Sequence, residues 1–450
     1  MVVDMTKGNP LRLILMFSFP LIIGNIFQQL YAVVDTIIVG RYVGPNALAG
    51  VGTTGAIFSL TNSMVIGMAS GFSIMVAQKY GAKDNNGVKL AVGSNIILTL
   101  MTTIIITILM LILIHPLLRF MNTPEEIYYY AQSYITIIVA GIFTQAFYNT
   151  AAGILRAIGD SRTPIYFLVL ACILNIILDL VFIIKFDMGV AGAGYATNVS
   201  QGIAALLCII YSYKKFDVLK LTAKDFKVPK FYYEAHLKMG IPMSIQFSIL
   251  SFGIISVQGV INSFGASAIA AYTAANKVIL IMMQPIVTYG VAVATYVGQN
   301  KGALNFIRIK EGVRTAAIIN IFTGIIIGII MIVFGKEISS LFLDNPSVQM
   351  LEMTGMALNY AAYFYIPLGF IFVYRNALQS MNRPVMPMLS GAIELTTRVA
   401  IAYTLPKYIG FAGVCLADPL TWLITAIPLM WVYFIEIKKS LRLQGAENEN

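Results

Sequence analysis

Charge is scarce in this chain. Of its 450 residues only 11% are Asp, Glu, Lys or Arg, while 58% are apolar and the mean hydropathy is +0.81. A soluble globular chain carries about 25% charged residues, so this composition describes a protein whose solvent is largely lipid. Cysteine and histidine are scarcer still. Cys172, Cys208 and Cys415 all fall in long apolar stretches, which argues against a disulfide scaffold, and no Cys/His spacing suits a metal site. The two histidines, His115 beside Pro116 and His236, read as residues of polar loops exposed to solvent. With no histidine expected inside a span, a nucleophile–base pair of the kind an embedded enzyme needs cannot be assembled, and no enzymatic activity is expected. No filter-like motif suggests a channel.

Apolar length is abundant. Twelve segments are long enough to cross a bilayer, near 11–39, 46–78, 88–114, 126–150, 164–185, 189–213, 235–263, 267–299, 309–335, 348–380, 385–404 and 409–436. The fold class expected is therefore an all-α polytopic membrane protein. Lysine and arginine set its orientation. With the amino terminus inside, 23 of them lie in inner loops and tails and 5 in outer loops, so both termini are expected in the cytoplasm of a plasma (inner) membrane protein. The net charge of +10 then reflects topology and anionic inner-leaflet lipid, with no nucleic acid as partner. The first apolar run is too long for a cleaved signal and reads as a retained helix.

Against that background two acids stand out. Asp35 lies in FQQLYAVVDTIIVG and Asp179 in ACILNIILDLVFII; their nearest basic neighbours, Arg41 and Lys185, are each six residues further on. That is roughly 9 Å along a helix. A carboxylate in hydrocarbon costs several kcal/mol, and an unpaired one persists where it meets water, a cation or a proton.

The chain also repeats itself. The polar stretch 214–233 divides the spans six and six, giving an amino-terminal lobe 1–213, a carboxy-terminal lobe 234–437 and a tail 438–450. SFPLIIGNIF resembles MGIPMSIQFS; VAQKYGAKD matches VGQNKGALN, aligning Gln78 with Gln299; GVAGAGYAT matches GFAGVCLAD, aligning Gly189 with Gly410. The period of 221 or 222 residues is far too long for a solenoid. Six spans per half keep the same topology in each, so the repeats are parallel, an arrangement found in secondary transporters with the substrate path between lobes.

With these residues in view, the chain resembles the multidrug and toxic compound extrusion (MATE) transporters, on the DinF/NorM side of that family. Pro20 and Asp35 have the spacing of the first-helix proline and acid of DinF-like members. Asn175 and Asp179 match their fifth-helix Asn-x-x-x-Asp, Thr197 their sixth-helix threonine, and LRAIGDSRTP (155–164) their fourth-to-fifth helix loop. The resemblance implies twelve helices in two six-helix lobes that open alternately to each side, exporting organic, often cationic and amphipathic compounds in exchange for a cation. The seventh-helix acid of NorM-type members has no counterpart, since 241–263 contains no Asp or Glu.

Asn175 and Asp179 are i,i+4 and share a helix face. Asp35 and Thr197 fall at a comparable depth in the outer half. Oxygen ligands at one level suit Na⁺. They also suit a proton, because two close carboxylates cannot both stay ionised. The expected coupling site is Asp35, Asn175, Asp179 and Thr197, with Na⁺ or H⁺ as coupling ion and no other cofactor. The hinge expected is at Pro20, equivalent to Pro242, or at the nearby Gly24; proline in a helix removes a hydrogen bond and bends it. In the second half Lys277, Glu394, Arg398 and Asp418 are two basic and two acidic residues near mid-membrane. Glu394 and Arg398, at i,i+4, can pair within a network that ties helices together; Lys277 or Glu394 could instead face the cavity and select substrates by charge. Gln28, Gln29, Tyr31, Gln246, Gln258, Asn262 and Gln284 are candidate cavity-lining residues, and equally candidates for interhelical hydrogen bonds. Met, Tyr and Phe, numbering 22, 24 and 26, supply adaptable apolar surface. A lipid-linked oligosaccharide flippase of the same superfamily is the alternative, kept open by Lys277 and Arg375. Small organic substrates and membrane lipid are the partners expected, and one chain with two lobes needs no second copy.

Overall fold

A computed structural model describes residues 3–343 and 346–448, with the side chains of 30–33, 254–256 and 445–448 outside the description. The described residues are helical throughout, without strands. The first half contains α1 (Pro10–Tyr42), α2 (Pro45–Gly81), α3 (Asn85–Phe120), α4 (Glu125–Ala140), α5 (Ile142–Ala157), α6 (Arg162–Leu180) and α7 (Gly189–Lys215). The second contains α8 (Lys230–Asn262), α9 (Ala266–Met282), α10 (Gln284–Gly302), α11 (Phe306–Ser340), α12 (Val348–Tyr363), α13 (Tyr365–Ser380), α14 (Val385–Thr404), α15 (Pro406–Ile409), α16 (Phe411–Cys415) and α17 (Ala417–Asn448). Among the described residues ten helices or joined helices are long and apolar enough to cross a membrane; α4–α5 and α12–α13 make two more as spans bent by 44° and 49°. These twelve coincide with the twelve apolar segments.

The repeat is visible in the devices that end helices. Asp84 caps α3 by accepting from the Gly87 N–H at 2.7 Å, and Asn305 caps α11 by accepting from the Arg308 N–H at 3.1 Å. Just before them Lys83 and Leu304 both turn left-handed, at φ 57° and 55°. The turns before α2 and α9 use Gly44 and Gly265 at φ 113° and 87°, a region open to glycine because it has no Cβ. The Lys79 ammonium, 2.9 Å away, and the Gly87 N–H hold the Asp84 carboxyl below the usual carboxylate range.

The chain divides into two compact units whose boundaries fall inside helices. One comprises Phe19–Ser248 with the stretch ending at Asp4; the other joins Met5–Ser18 to Ile249 onward. Each thus takes in a helical piece from the far half of the sequence, and the boundary in α1 comes just before Pro20.

In the first unit, α2 meets the opening half of α8 through small residues. A Cβ built on Gly67 would lie 2.5 Å from the Ser244 Cα, and one on Gly71 would lie 2.5 Å from the Gly240 Cα. Small residues four apart on both helices let the backbones touch, which is how membrane helices gain packing without a hydrophobic drive between them. This contact also explains His236, which is not in a solvated loop. It lies in α8, 1% exposed, with Nε2 3.0 Å from the Ala91 carbonyl and its ring stacked on Phe72. Hydropathy registers apolar length but not the neighbouring helices that cover a polar ring. His115 is exposed, though within α3 rather than a loop, and its Nδ1 lies 2.5 Å from the Tyr128 hydroxyl.

In the second unit the residues before α1 are held by α10 and α11. The Met5 N–H donates to Gln299 Oε1 at 2.9 Å, Asn300 donates to the Met5 carbonyl at 2.9 Å, and Arg308 donates to the Gly8 carbonyl at 3.0 Å.

The α2–α8 contact gives a stability test. Gly67→Leu should lower the thermal stability of the purified protein by at least the ~1–3 kcal/mol of an overpacked core. Gly52→Ala on the same helix, where a Cβ meets nothing within 4 Å, should be neutral or stabilising by up to about 1 kcal/mol. Equal melting temperatures for the two variants would contradict the close approach.

Candidate functional site

Asp35 and Asp179 meet. Their carboxyl groups, on α1 and α6, are close enough for each to act on the ionisation of the other. Asp179 has no exposed surface and Asn175, one turn earlier, is 1% exposed. Asn175 Nδ2 lies 3.4 Å from Thr197 Oγ1 on α7. With its amide turned about, Asn175 donates to Asp179 Oδ2 at 3.2 Å and accepts from the Thr197 N–H at 3.1 Å, which is the better-satisfied arrangement. The four residues named from the sequence therefore form one cluster at the meeting of α1, α6 and α7.

Its chemistry is unfinished. Asp35 Oδ1 and Asp179 Oδ1 are both buried and have no hydrogen-bond partner. No ion pair among the described residues involves either acid. The same helices bury an apolar cluster of Ile38, Val39, Ile183 and Val190, with Val34 and Ile176 packed on it. Two carboxyls in such surroundings cannot both be ionised without a cation between them. A π-helical turn, Val181–Lys185, follows directly after Asp179. Such turns widen a helix by one residue and are frequent at functional sites, and no composition signal marked this one.

The second unit treats its charges differently. Glu394 does not pair with Arg398 as their spacing suggested: it receives Arg375 from α13, while Arg398 Nε lies 2.5 Å from Asp418 Oδ1 on α17. The Tyr272 hydroxyl is 3.5 Å from Asp418 Oδ2. Two interhelical pairs give each charge an opposite one, whereas a single i,i+4 pair would leave the buried Arg375 guanidinium without a counter-charge, which costs several kcal/mol. Arg375 is 4% exposed within α13. Lys277 stands apart from this network; its ammonium lies 5.4 Å from the centre of the Phe342 ring.

The sequence matches the MatE family model twice, over residues 20–181 and 242–404, more than half the chain in all. The chain belongs to the MATE family. It is 28% identical to the probable multidrug resistance protein YpnP of Bacillus subtilis over 98% of both chains. It is also 28% identical to the probable multidrug resistance protein YoeA of the same organism, over 97% of this chain and 96% of that one. A solved structure described as the outward-facing conformation of a multidrug resistance MATE family transporter of the MOP superfamily superposes with a TM-score of 0.90 at 26% identity, covering 98% of each chain.

Within this MATE chain the cavity candidates are divided between the two units, Gln28, Gln29 and Gln246 in the first and Gln258, Asn262 and Gln284 in the second. Gln28 and Gln29 are exposed on α1, and Gln246 is buried at 1% in the first unit. Gln258 and Asn262 bond to each other at 3.0 Å along α8, and Gln284 donates to the Leu280 carbonyl at 2.9 Å. The side chain of Tyr31 lies outside the described residues. Pro20 sits inside an unbroken α1, and at Gly24 that helix approaches α6 so closely that a Cβ would lie 2.9 Å from Ile165 Cγ2.

The buried pair on α13 and α14 should behave as a unit. Glu394→Gln leaves the Arg375 guanidinium without a counter-charge and should cost about 3–5 kcal/mol, whereas replacing both by methionine should be near neutral. Thermal unfolding of both variants in detergent measures the difference; a harmless single variant would contradict the pairing.

Proposed function

We propose that this protein is a secondary active multidrug exporter, an antiporter that moves organic, cationic and amphipathic compounds outward in exchange for Na⁺ or H⁺ taken up at Asp35, Asn175, Asp179 and Thr197. The observation that carries the proposal is the Asp35–Asp179 contact, with one unpartnered buried oxygen on each acid and no basic neighbour. Carboxylate, amide and hydroxyl oxygens are hard donors that suit Na⁺. The same pair of acids can alternatively hold a proton between them. The multidrug resistance named for the relatives and for the solved neighbour supports the substrate class.

Coupling follows from differential affinity alone. A cation entering from outside joins α1 to α6 through the two acids and favours one arrangement of α1, which bends near Pro20 or Gly24. That arrangement binds the drug weakly, and the drug leaves outward. Return to the drug-binding form requires the cation to leave inward. The bias of Lys and Arg toward one set of loops supports a plasma-membrane protein with both termini in the cytoplasm. The flippase reading leaned on two cationic groups, Lys277 and Arg375. Arg375 is taken up by Glu394, which weakens that reading.

The test is dye efflux from vesicles under an imposed Na⁺ or proton gradient. Asp35→Asn and Asp179→Asn, made singly, should each abolish gradient-driven export while the protein remains folded in the membrane. Retained efflux in both variants would overturn the assignment. Replacing Na⁺ by a bulky organic cation at fixed pH identifies the coupling ion: export that stops is Na⁺-driven, and export that continues and follows the pH gradient is proton-driven.

A further inference from the structure

The two halves can be aligned residue by residue around the site. The bends between α4–α5 and α12–α13 fall at Gly141 and Phe364, the left-handed turns before α6 and α14 at Gly159 (φ 95°) and Asn382 (φ 63°), and those helices begin at Arg162 and Val385. All three correspondences share one spacing, which equates Asn175 with Arg398 and Asp179 with Ala402. The left-handed turns Gly189 (φ 54°) and Gly410 (φ 61°) reset the register by two residues and equate Thr197 with Asp418. The two residues gained by the first half lie where its π-helical turn Val181–Lys185 lies.

Equivalent residues make equivalent contacts with different chemistry. In the first half Asn175 meets Thr197 at 3.4 Å, a neutral pair beside two acids with orphaned oxygens. In the second half Arg398 Nε lies 2.5 Å from Asp418 Oδ1, an ion pair in which neither atom has a hydrogen-bond partner; Arg398 is 7% exposed and the Asp418 side chain 31%. The guanidinium also presses on Gly253 of α8, the repeat partner of α1: a Cβ there would lie 2.5 Å from Arg398 Nη1. So α8, α14 and α17 converge on a fixed positive charge, as α1, α6 and α7 converge on two acids. Ala402 stands in place of Asp179, and no acid in 241–263 stands in place of Asp35.

We propose that the second half carries the same cation site in a self-occupied form. The Arg398 guanidinium, tethered to α14, supplies the positive charge that the first-half site must take from a bound monovalent cation or proton. The site is latent: a small monovalent cation or proton is its ligand once the guanidinium is withdrawn. Its consequence is one-sided coupling, because only the half with a removable charge can respond to a gradient. This deepens the proposed coupling reading and rests on it, so its test is made where the first-half site is disabled.

In an Asp179→Asn background, the melting temperature of the purified protein is measured against NaCl, with choline chloride at equal ionic strength, and against pH. The background alone should be flat in Na⁺ and near-neutral pH. Adding Arg398→Ala should lower the melting temperature and restore a dependence on Na⁺ or acid, with a rise of about 2 °C or more at saturating ligand. Arg398→Asn with Asp418→Thr, which copies the neutral first-half pair without its acids, should fold and stay flat. A folded Arg398→Ala variant without any Na⁺ or proton dependence overturns the proposal. Failure of that variant to fold at every salt concentration and pH, with the double variant folding normally, overturns it equally, since no mobile cation could then replace the guanidinium. A background that already responds to Na⁺ or acid would instead count against the first-half coupling site.

Discussion

The contact between Asp35 and Asp179 is the constraint around which the first half is arranged. Two neighbouring carboxyls, one fully buried and the other largely so, cannot carry two unshielded negative charges, because desolvation and like-charge repulsion add. Something positive must sit with them, and the side chains offer nothing: neither acid has an ion-pair partner among the described residues. A site that is incomplete without a mobile charge is sensitive to the availability of that charge. Because the acids stand on different helices, α1 and α6, occupancy also decides whether those helices are tied together.

The rest of the fold makes that sensitivity useful. The internal boundary of the two compact units falls in α1 just before Pro20, so the helix that carries Asp35 contributes to both units. Elsewhere the helices are pinned. Gly67 and Gly71 bring α2 against α8 at backbone distance, and the residues before α1 are bonded to Gln299, Asn300 and Arg308. In the second half charges are paired across helices, the buried Arg375 with Glu394 and Arg398 with the partly exposed Asp418.

Much of this was legible in the sequence, for identifiable reasons. Apolar length gives the spans directly, since the thickness of the bilayer sets it. Asp35 and Asp179 announce themselves because an acid in hydrocarbon is costly, and Asn175 follows from helical spacing. What failed to show was everything decided by a partner from another helix. The i,i+4 spacing of Glu394 and Arg398 suggested a pair, but spacing cannot report that Arg375 and Asp418 approach from neighbouring helices. His236 looked solvated because hydropathy carries no information about the helices that bury it. The π-helical turn after Asp179 left a trace only in retrospect, as the two-residue difference in register between the halves, which becomes readable once Gly159 is matched to Asn382 and Gly189 to Gly410.

The central claim is that cation occupancy at the acid pair and drug affinity are linked in one molecule. Its most direct measurement is the equilibrium affinity of a fluorescent cationic drug for the purified protein, titrated with Na⁺ at fixed pH and with protons at fixed Na⁺. The account predicts that one of these cations weakens drug binding in the native protein, and that Asp179→Asn binds the drug with an affinity indifferent to both. The same cation dependence in native and Asp179→Asn protein would contradict it.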